Sequence, residues 1–193
     1  NTHTGTKTLI LAASLADGTT VLHNAAEEPE IDDLVNLLNA MGGDVKRTGK
    51  REITIVGVDK LHGATYKISP DRNEVVTFAI MAYVTRGDIF VRDANKVDLK
   101  AFFEKLDAAG AAYELKEDGV RFHYEKPLQA VSVDTAVYPG FMTDWQAPWA
   151  VLMTQAVGDS IIHETVFENK LSYTNDLKKM GASLVLFNPD VSE

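Results

Sequence analysis

The sequence predicts an α/β (α+β) fold assembled from a unit that recurs about three times in its 193 residues. Three observations predict it. Apolar residues at helical three and four spacing alternate with short β-branched runs. Glycines return at equivalent places with a period of about 70 residues. Apolar residues make up 45% of the chain, enough for a sizeable core in one domain or two small ones.

The first unit opens with an apolar helix-like run over 9–16, followed by Gly18 and the strand-like Thr19-Thr20-Val21. An amphipathic helix comes next, with Ile31, Leu34, Val35, Leu37 and Leu38 on one side, closed by Gly42; a strand follows at Ile53-Thr54-Ile55-Val56. The second unit repeats the order: a helix-like run over 77–84, Gly87, the strand Asp88-Ile89-Phe90, a helix carrying Leu99, Phe102, Phe103 and Leu106, Gly110, and a strand over 120–124. The third offers a run over 149–157, Gly158, the strand Ser160-Ile161-Ile162, a helix with Leu171, Tyr173 and Leu177, and Gly181 ahead of another strand. Gly18, Gly87 and Gly158 are expected at helix C-termini, where a left-handed conformation costs least in glycine. Each unit therefore reads helix, strand, helix, strand, with a further strand in the first two. One unit cannot bury both faces of its helices, so neighbours must pack together. Pro70 and Pro139 follow strand-like segments at 65–68 and 131–133 and mark the candidate boundaries.

Charged residues, 24% of the chain, are spread along it, and no run of about 18 apolar residues could span a bilayer. A soluble chain without a signal peptide is expected, hence a cytoplasmic one. The net charge of −9 disfavours nucleic acid as a partner, because phosphate binding needs clustered Lys and Arg. The chain has no cysteine, which excludes disulfides, thiolate metal sites and a cysteine nucleophile within it. Its histidines, at 3, 23, 62, 123 and 163, never fall at ligand spacing, so no metal and no other cofactor is expected. The acidic run Glu27, Glu28, Glu30, Asp32 and Asp33 reads as the solvated first turn of a helix, with metal binding the minor alternative.

Five segments in order carry a resemblance. They are Leu15-Ala16-Asp17-Gly18-Thr19-Thr20, Asn24-Ala25-Ala26-Glu27-Glu28-Pro29-Glu30-Ile31, Pro70-Asp71-Arg72-Asn73-Glu74, Tyr138-Pro139-Gly140-Phe141-Met142-Thr143-Asp144-Trp145-Gln146-Ala147, and Glu164-Thr165-Val166-Phe167-Glu168-Asn169. Together they resemble the enolpyruvyl transferase family, in the branch that acts on UDP-N-acetylglucosamine rather than the shikimate-pathway branch. The resemblance implies the family's inside-out α/β barrel of repeated βαβαββ units, of which about three are present. It also implies transfer of the enolpyruvyl group of phosphoenolpyruvate to the 3'-hydroxyl of UDP-N-acetylglucosamine, the first committed step of peptidoglycan synthesis. Residues 1–69 would be the last unit of one lobe and 70–193 two units of the other, with their mutual boundary near 138.

The resemblance also assigns roles. Asp144 by spacing alone reads as a helix N-cap; the resemblance makes it the base that takes the sugar hydroxyl proton. Thr2, His3 and Thr4 precede an apolar helix and by themselves read as capping residues of a frayed terminus; in the family the matching stretch lines the nucleotide-sugar site. Val166 matches a residue whose backbone contacts the nucleotide sugar, whereas Phe167 reads as core. Lys170 stands where the family has arginine, keeping the charge but not the planar fork, and is expected to assist at the charged substrate. Arg72 and Glu74 read from spacing as a surface ion pair, and with the resemblance as structural groups between lobes.

Asn73-Glu74-Val75-Val76 lacks a glycine that the family has there. That change and Lys170 motivate the alternative of a catalytically degenerate nucleotide-sugar-binding paralogue. Other basic residues and a mobile loop of the family's phosphoenolpyruvate site have no counterpart here, so the chain is expected to be an internal fragment, inactive alone. Helix faces left open by missing repeats are expected to drive self-association.

Overall fold

A computed structural model describes residues 2–188. Two compact units divide the chain, one ending at Pro70 and the other starting at Asp71.

In the first unit, α1 (His3–Ala13) leads to β1 (Thr19–His23), α2 (Pro29–Ala40), β2 (Asp44–Gly49) and β3 (Glu52–Val56). The strands form an antiparallel sheet in the order β1-β3-β2, so the last strand lies in the centre and pairs with both others. Period-two alternation turns Ile53 and Ile55 of β3 and Val45 of β2 inward, where they meet Ile10 of α1 and Ile31, Val35 and Leu38 of α2. The acidic run begins α2 as expected, and its side chains are used in pairing: Asp32 accepts from Arg47 at 2.7 Å. Asp33 accepts from Tyr66 at 2.7 Å and from the backbone and hydroxyl of Ser69. The segment 65–68 is therefore not a strand; its polar groups dock on the α2 carboxylate instead of on a neighbouring ladder.

The second unit repeats the plan with α3 (Arg72–Val84), β4 (Asp88–Arg92), α4 (Lys100–Ala109), β5 (Ala112–Lys116) and β6 (Gly119–His123). Its sheet order is β4-β6-β5, again with the last strand in the centre. After the short strand β7 (Val133–Asp134), a 3-10 turn at Thr143–Trp145 runs into α5 (Gln146–Met153), then β8 (Ile162–His163) and α6 (Thr174–Lys179). Strands β7 and β8 pair in parallel. One core joins α3, α4 and α5 to the sheet and to β7 and β8: Phe102 meets Trp145 and Trp149 edge-on at about 6 Å, and Phe141 does the same at 5.6 Å. The repeat boundary near 138 thus lies inside a continuous core.

Several local expectations change. Gly87 does not take the left-handed slot after α3; Arg86 does, at φ 55°. Gly18 and Gly158 are left-handed but lie five residues beyond their helices, while Gly110 caps α4 directly at φ 72°. Arg72 is not on the surface: it is 5% exposed, its guanidinium stacked over Tyr138 at 5.0 Å. Phe167 is exposed rather than core. The strand expected after Gly181 is absent, and residues 182–188 have no regular structure. In the other repeats the strand after the second helix pairs only with the unit's central strand, and no such strand adjoins this segment among the described residues.

Two stability measurements follow from these contacts. Phe102→Ala should lower the unfolding free energy by roughly 3–5 kcal/mol, because it opens a cavity beneath both tryptophans. Gly110→Ala should cost about 1 kcal/mol, because alanine resists the left-handed cap. Denaturant titrations of the two variants check the ranking.

Candidate functional site

The start of α1 is a built turn. Thr2 is its N-cap, and its Oγ1 accepts from the Gly5 amide at 3.3 Å. Thr6 donates to the Thr2 carbonyl at 2.8 Å and accepts from the Ala26 amide at 3.1 Å, which ties the helix start to the loop after β1. Thr2 and Thr4 remain exposed, and His3 is half-buried with a buried Nε2 that has no hydrogen-bond partner. The helix end thus presents the Thr2 and Thr4 side chains and the partial positive charge of its first amides on one small surface of the first unit, while the His3 Nε2 is buried.

The second unit carries the acidic centre. The turn Thr143–Trp145 is anchored by its neighbours: Thr143, Trp145 and Gln146 are buried, and between them the Asp144 side chain is 52% exposed. Trp145 fills the aromatic core, and its Nε1 donates to the Asn73 side chain at 2.9 Å. Arg72 donates to the Met142 sulfur at 2.9 Å and lies 5.9 Å from the Trp145 ring. The two first residues of α3 therefore hold the turn from behind. Asp144 is not an N-cap; Trp145 occupies that position, with no side-chain capping bond.

From the other side the turn is held by one carboxylate. Glu164 Oε2 accepts from Thr143 Oγ1 at 2.7 Å and, in a very short contact, from Gln146 Nε2. Its Oε1 accepts the backbone amides of Val166 and Phe167, each at 2.8 Å. Gln146 in turn accepts from the Tyr173 hydroxyl at 3.0 Å, which fixes the orientation of its amide. Burial alone would push the Glu164 carboxyl up, but the bonds from Thr143, the Phe167 and Val166 amides and Thr135 outweigh it and hold the group below its usual 4.5. Burial, with the nearby Glu164 charge, pushes the Tyr173 phenol up to about 12, so it stays a neutral donor.

Lys170 completes the cluster. Asn169 adopts φ 57°, a left-handed conformation that asparagine tolerates, and after this bend the Lys170 ammonium donates to Asp144 Oδ1 at 2.7 Å. The ammonium also lies 5.0 Å above the Phe167 ring, which explains why that ring sits outside the core. An open depression of about 470 Å³ lies on the Lys170 side of the pair, lined among others by Glu164, Phe167, Lys170, Leu171 and Phe187.

The structure thus gathers Asp144, Lys170 and Val166 into one cluster of the second unit and gives Thr2, His3 and Thr4 a helix start in the first. The sequence reading missed Glu164, Gln146, Thr143 and Tyr173. Three of the four stand inside the quoted segments, but nothing in their spacing pairs Thr143 and Gln146 with a residue some twenty positions on. Among the described residues no group of three His, Cys, Asp or Glu side chains could hold a metal ion.

The pattern of the EPSP synthase family (3-phosphoshikimate 1-carboxyvinyltransferase) matches residues 2–190. The chain is 47% identical over 179 residues to UDP-N-acetylglucosamine 1-carboxyvinyltransferase 2 of Symbiobacterium thermophilum, covering 93% of this chain and 42% of that protein. It is 46% identical over 185 residues to UDP-N-acetylglucosamine 1-carboxyvinyltransferase of Dichelobacter nodosus, covering 96% and 44%. Among solved structures, the enolpyruvyl transferase NikO from Streptomyces tendae superposes with a TM-score of 0.80 at 27% identity, over 91% of this chain and 42% of that one. The chain therefore spans less than half the length of the curated relatives it matches. With the family pattern running through every described residue, and a solved enolpyruvyl transferase superposing over 91% of the chain, the chain belongs to the EPSP synthase family of carboxyvinyltransferases.

Proposed function

We propose that the protein carrying this chain transfers the enolpyruvyl group of phosphoenolpyruvate to the 3'-hydroxyl of UDP-N-acetylglucosamine, in the first committed step of peptidoglycan synthesis. The observation that supports it best is the Asp144 carboxylate, held outward on a rigid turn and paired with Lys170. The 44–47% identity to carboxyvinyltransferases named for that nucleotide sugar supports the choice of acceptor. In this reaction the sugar oxygen bonds to C2 of phosphoenolpyruvate as a proton adds to C3; loss of a proton from C3 then restores the double bond as the bond from C2 to the phosphate oxygen breaks and inorganic phosphate leaves. Asp144 accepts the hydroxyl proton as the oxygen attacks, which requires its carboxylate within hydrogen-bond reach of that hydroxyl. Lys170 keeps a positive charge beside the base and toward the anionic substrate. Thr2, His3 and Thr4, with the first amides of α1, and the Val166 backbone bind the nucleotide sugar. In this reading residues 1–69 belong to one lobe and 70–193 to the other, and the protein works in the cytoplasm; no described helix is long and apolar enough to cross a membrane.

The test is phosphate release by the whole protein given both substrates. Asp144→Asn should lower turnover by roughly 10²–10⁴-fold; full turnover in that variant would remove the base from the scheme. A parent protein that binds the nucleotide sugar without turning over would instead favour the degenerate binding module. Lys170→Met should lower activity while leaving stability within about 1 kcal/mol, since a half-exposed ion pair contributes little to folding. Exposed Leu9 and Leu11 of α1, Leu15 just beyond it, and Phe78 and Met81 of α3 lead us to expect self-association of the isolated chain, and sedimentation across a concentration series checks it.

A further inference from the structure

Four of the donors that converge on Glu164, a side chain that the chemistry itself does not need, come from the two segments that carry Asp144 and lead to Lys170. Thr143 Oγ1 and Gln146 Nε2 reach Glu164 Oε2, and the Val166 and Phe167 amides reach Oε1. Thr143 and Gln146 flank Asp144 and its buried neighbour Trp145, so the first pair fixes the turn that presents the base. Val166 and Phe167 lie on the chain that leads to Lys170, so the second pair fixes the segment whose ammonium meets Asp144 at 2.7 Å.

We infer that Glu164 is the positioning residue of this site, one carboxylate that locks the Asp144 turn and the strand exit from Val166 to Lys170 into a single frame. The inference deepens the proposed function and rests on Asp144 acting as base. The chemistry of the side chain explains why glutamate stands here. An ionised carboxylate offers only acceptors, and each oxygen can take two donors. Glutamine at 164 would turn an NH₂ group toward one pair of donors and break either the turn side or the backbone side. Aspartate would keep four acceptor sites on a stem one methylene shorter, so it could hold one side well and the other poorly. The Tyr173 hydroxyl holds the far end of Gln146, so the amide has no free rotation with which to adapt.

A displaced base loses rate far more than it loses affinity, because the near-attack geometry suffers while most substrate contacts stand. Phosphate release by the whole protein, with phosphoenolpyruvate and UDP-N-acetylglucosamine, is measured for Glu164→Gln, Glu164→Asp, Thr143→Val, the Thr143→Val/Glu164→Gln pair and Asp144→Asn. Glu164→Gln is expected to lower kcat by about 10²-fold with KM for phosphoenolpyruvate changed by no more than about threefold. Glu164→Asp should recover about tenfold of that loss. Thr143→Val should cost less than Glu164→Gln, and the double variant should be no slower than Glu164→Gln alone, since both changes cut one link.

If Glu164→Gln keeps its kcat within about threefold of the parent while Asp144→Asn is inactive, the positioning role is wrong and the base assignment stands. Losses that multiply in the double variant also overturn it. Should Glu164→Gln fail to fold cooperatively, Thr143→Val carries the test: reduced kcat at an unchanged melting temperature supports the link, and unchanged kcat refutes it. Full turnover in Asp144→Asn removes the base assignment, leaves the transfer reaction itself standing, and takes this inference with it.

Discussion

The indole of Trp145, packed edge-on against Phe102 and Phe141 and hydrogen-bonded through Nε1 to Asn73, is the contact on which the acidic centre depends. A 3-10 turn has three residues per revolution, so burying Trp145 together with Thr143 and Gln146 leaves Asp144 as the residue that must face water. Hydrophobic burial on one side of a short turn thus determines where a carboxylate can stand on the other. The same indole is attached to the α3 N-terminus and to the core of α4 and α5, so the position of Asp144 is set by three helices. This is how a side chain more than half exposed can still be well placed.

The repeat explains the sheets as well as the helices. In each of the first two units the last strand enters between the earlier two, so every central backbone group gains a partner on both sides while alternate side chains turn to the helices. The third repeat contributes β8, which pairs in parallel with β7, and its second strand-like segment has no ladder to join among the described residues. Sequence propensity at 184–187 is strand-like all the same, and the missing regular structure follows from pairing rather than from composition.

Charge is deployed locally in a chain of net charge −9. Arg121 spans Asp88 and Glu114 on the outer face of the second sheet, and Arg47 meets Asp32 in the first unit. These exposed pairs add little to stability. Arg72 differs because it is buried and stacked between rings, where the planar guanidinium offers what an ammonium could not. At position 170 the ammonium makes a single bond to Asp144 and lies over a phenyl ring, a contact that does not require the fork.

Much of the fold was legible in the sequence because helix and strand periods, glycine placement and proline boundaries are local signals, and they recur here at a fixed interval. The order of elements in the first two units, the acidic opening of α2, the Gly110 cap and the segments bearing Asp144, Val166 and Lys170 all follow from residues close together in the chain. What the tertiary structure alone decided involves residues far apart. Arg72 was taken inward by rings some 65 to 75 positions away, Phe167 was turned outward beneath an ammonium, and Glu164 was brought to Thr143 and Gln146 across an intervening helix. Spacing along the sequence cannot reveal such pairings, because they depend on which faces of separate elements the hydrophobic core presses together.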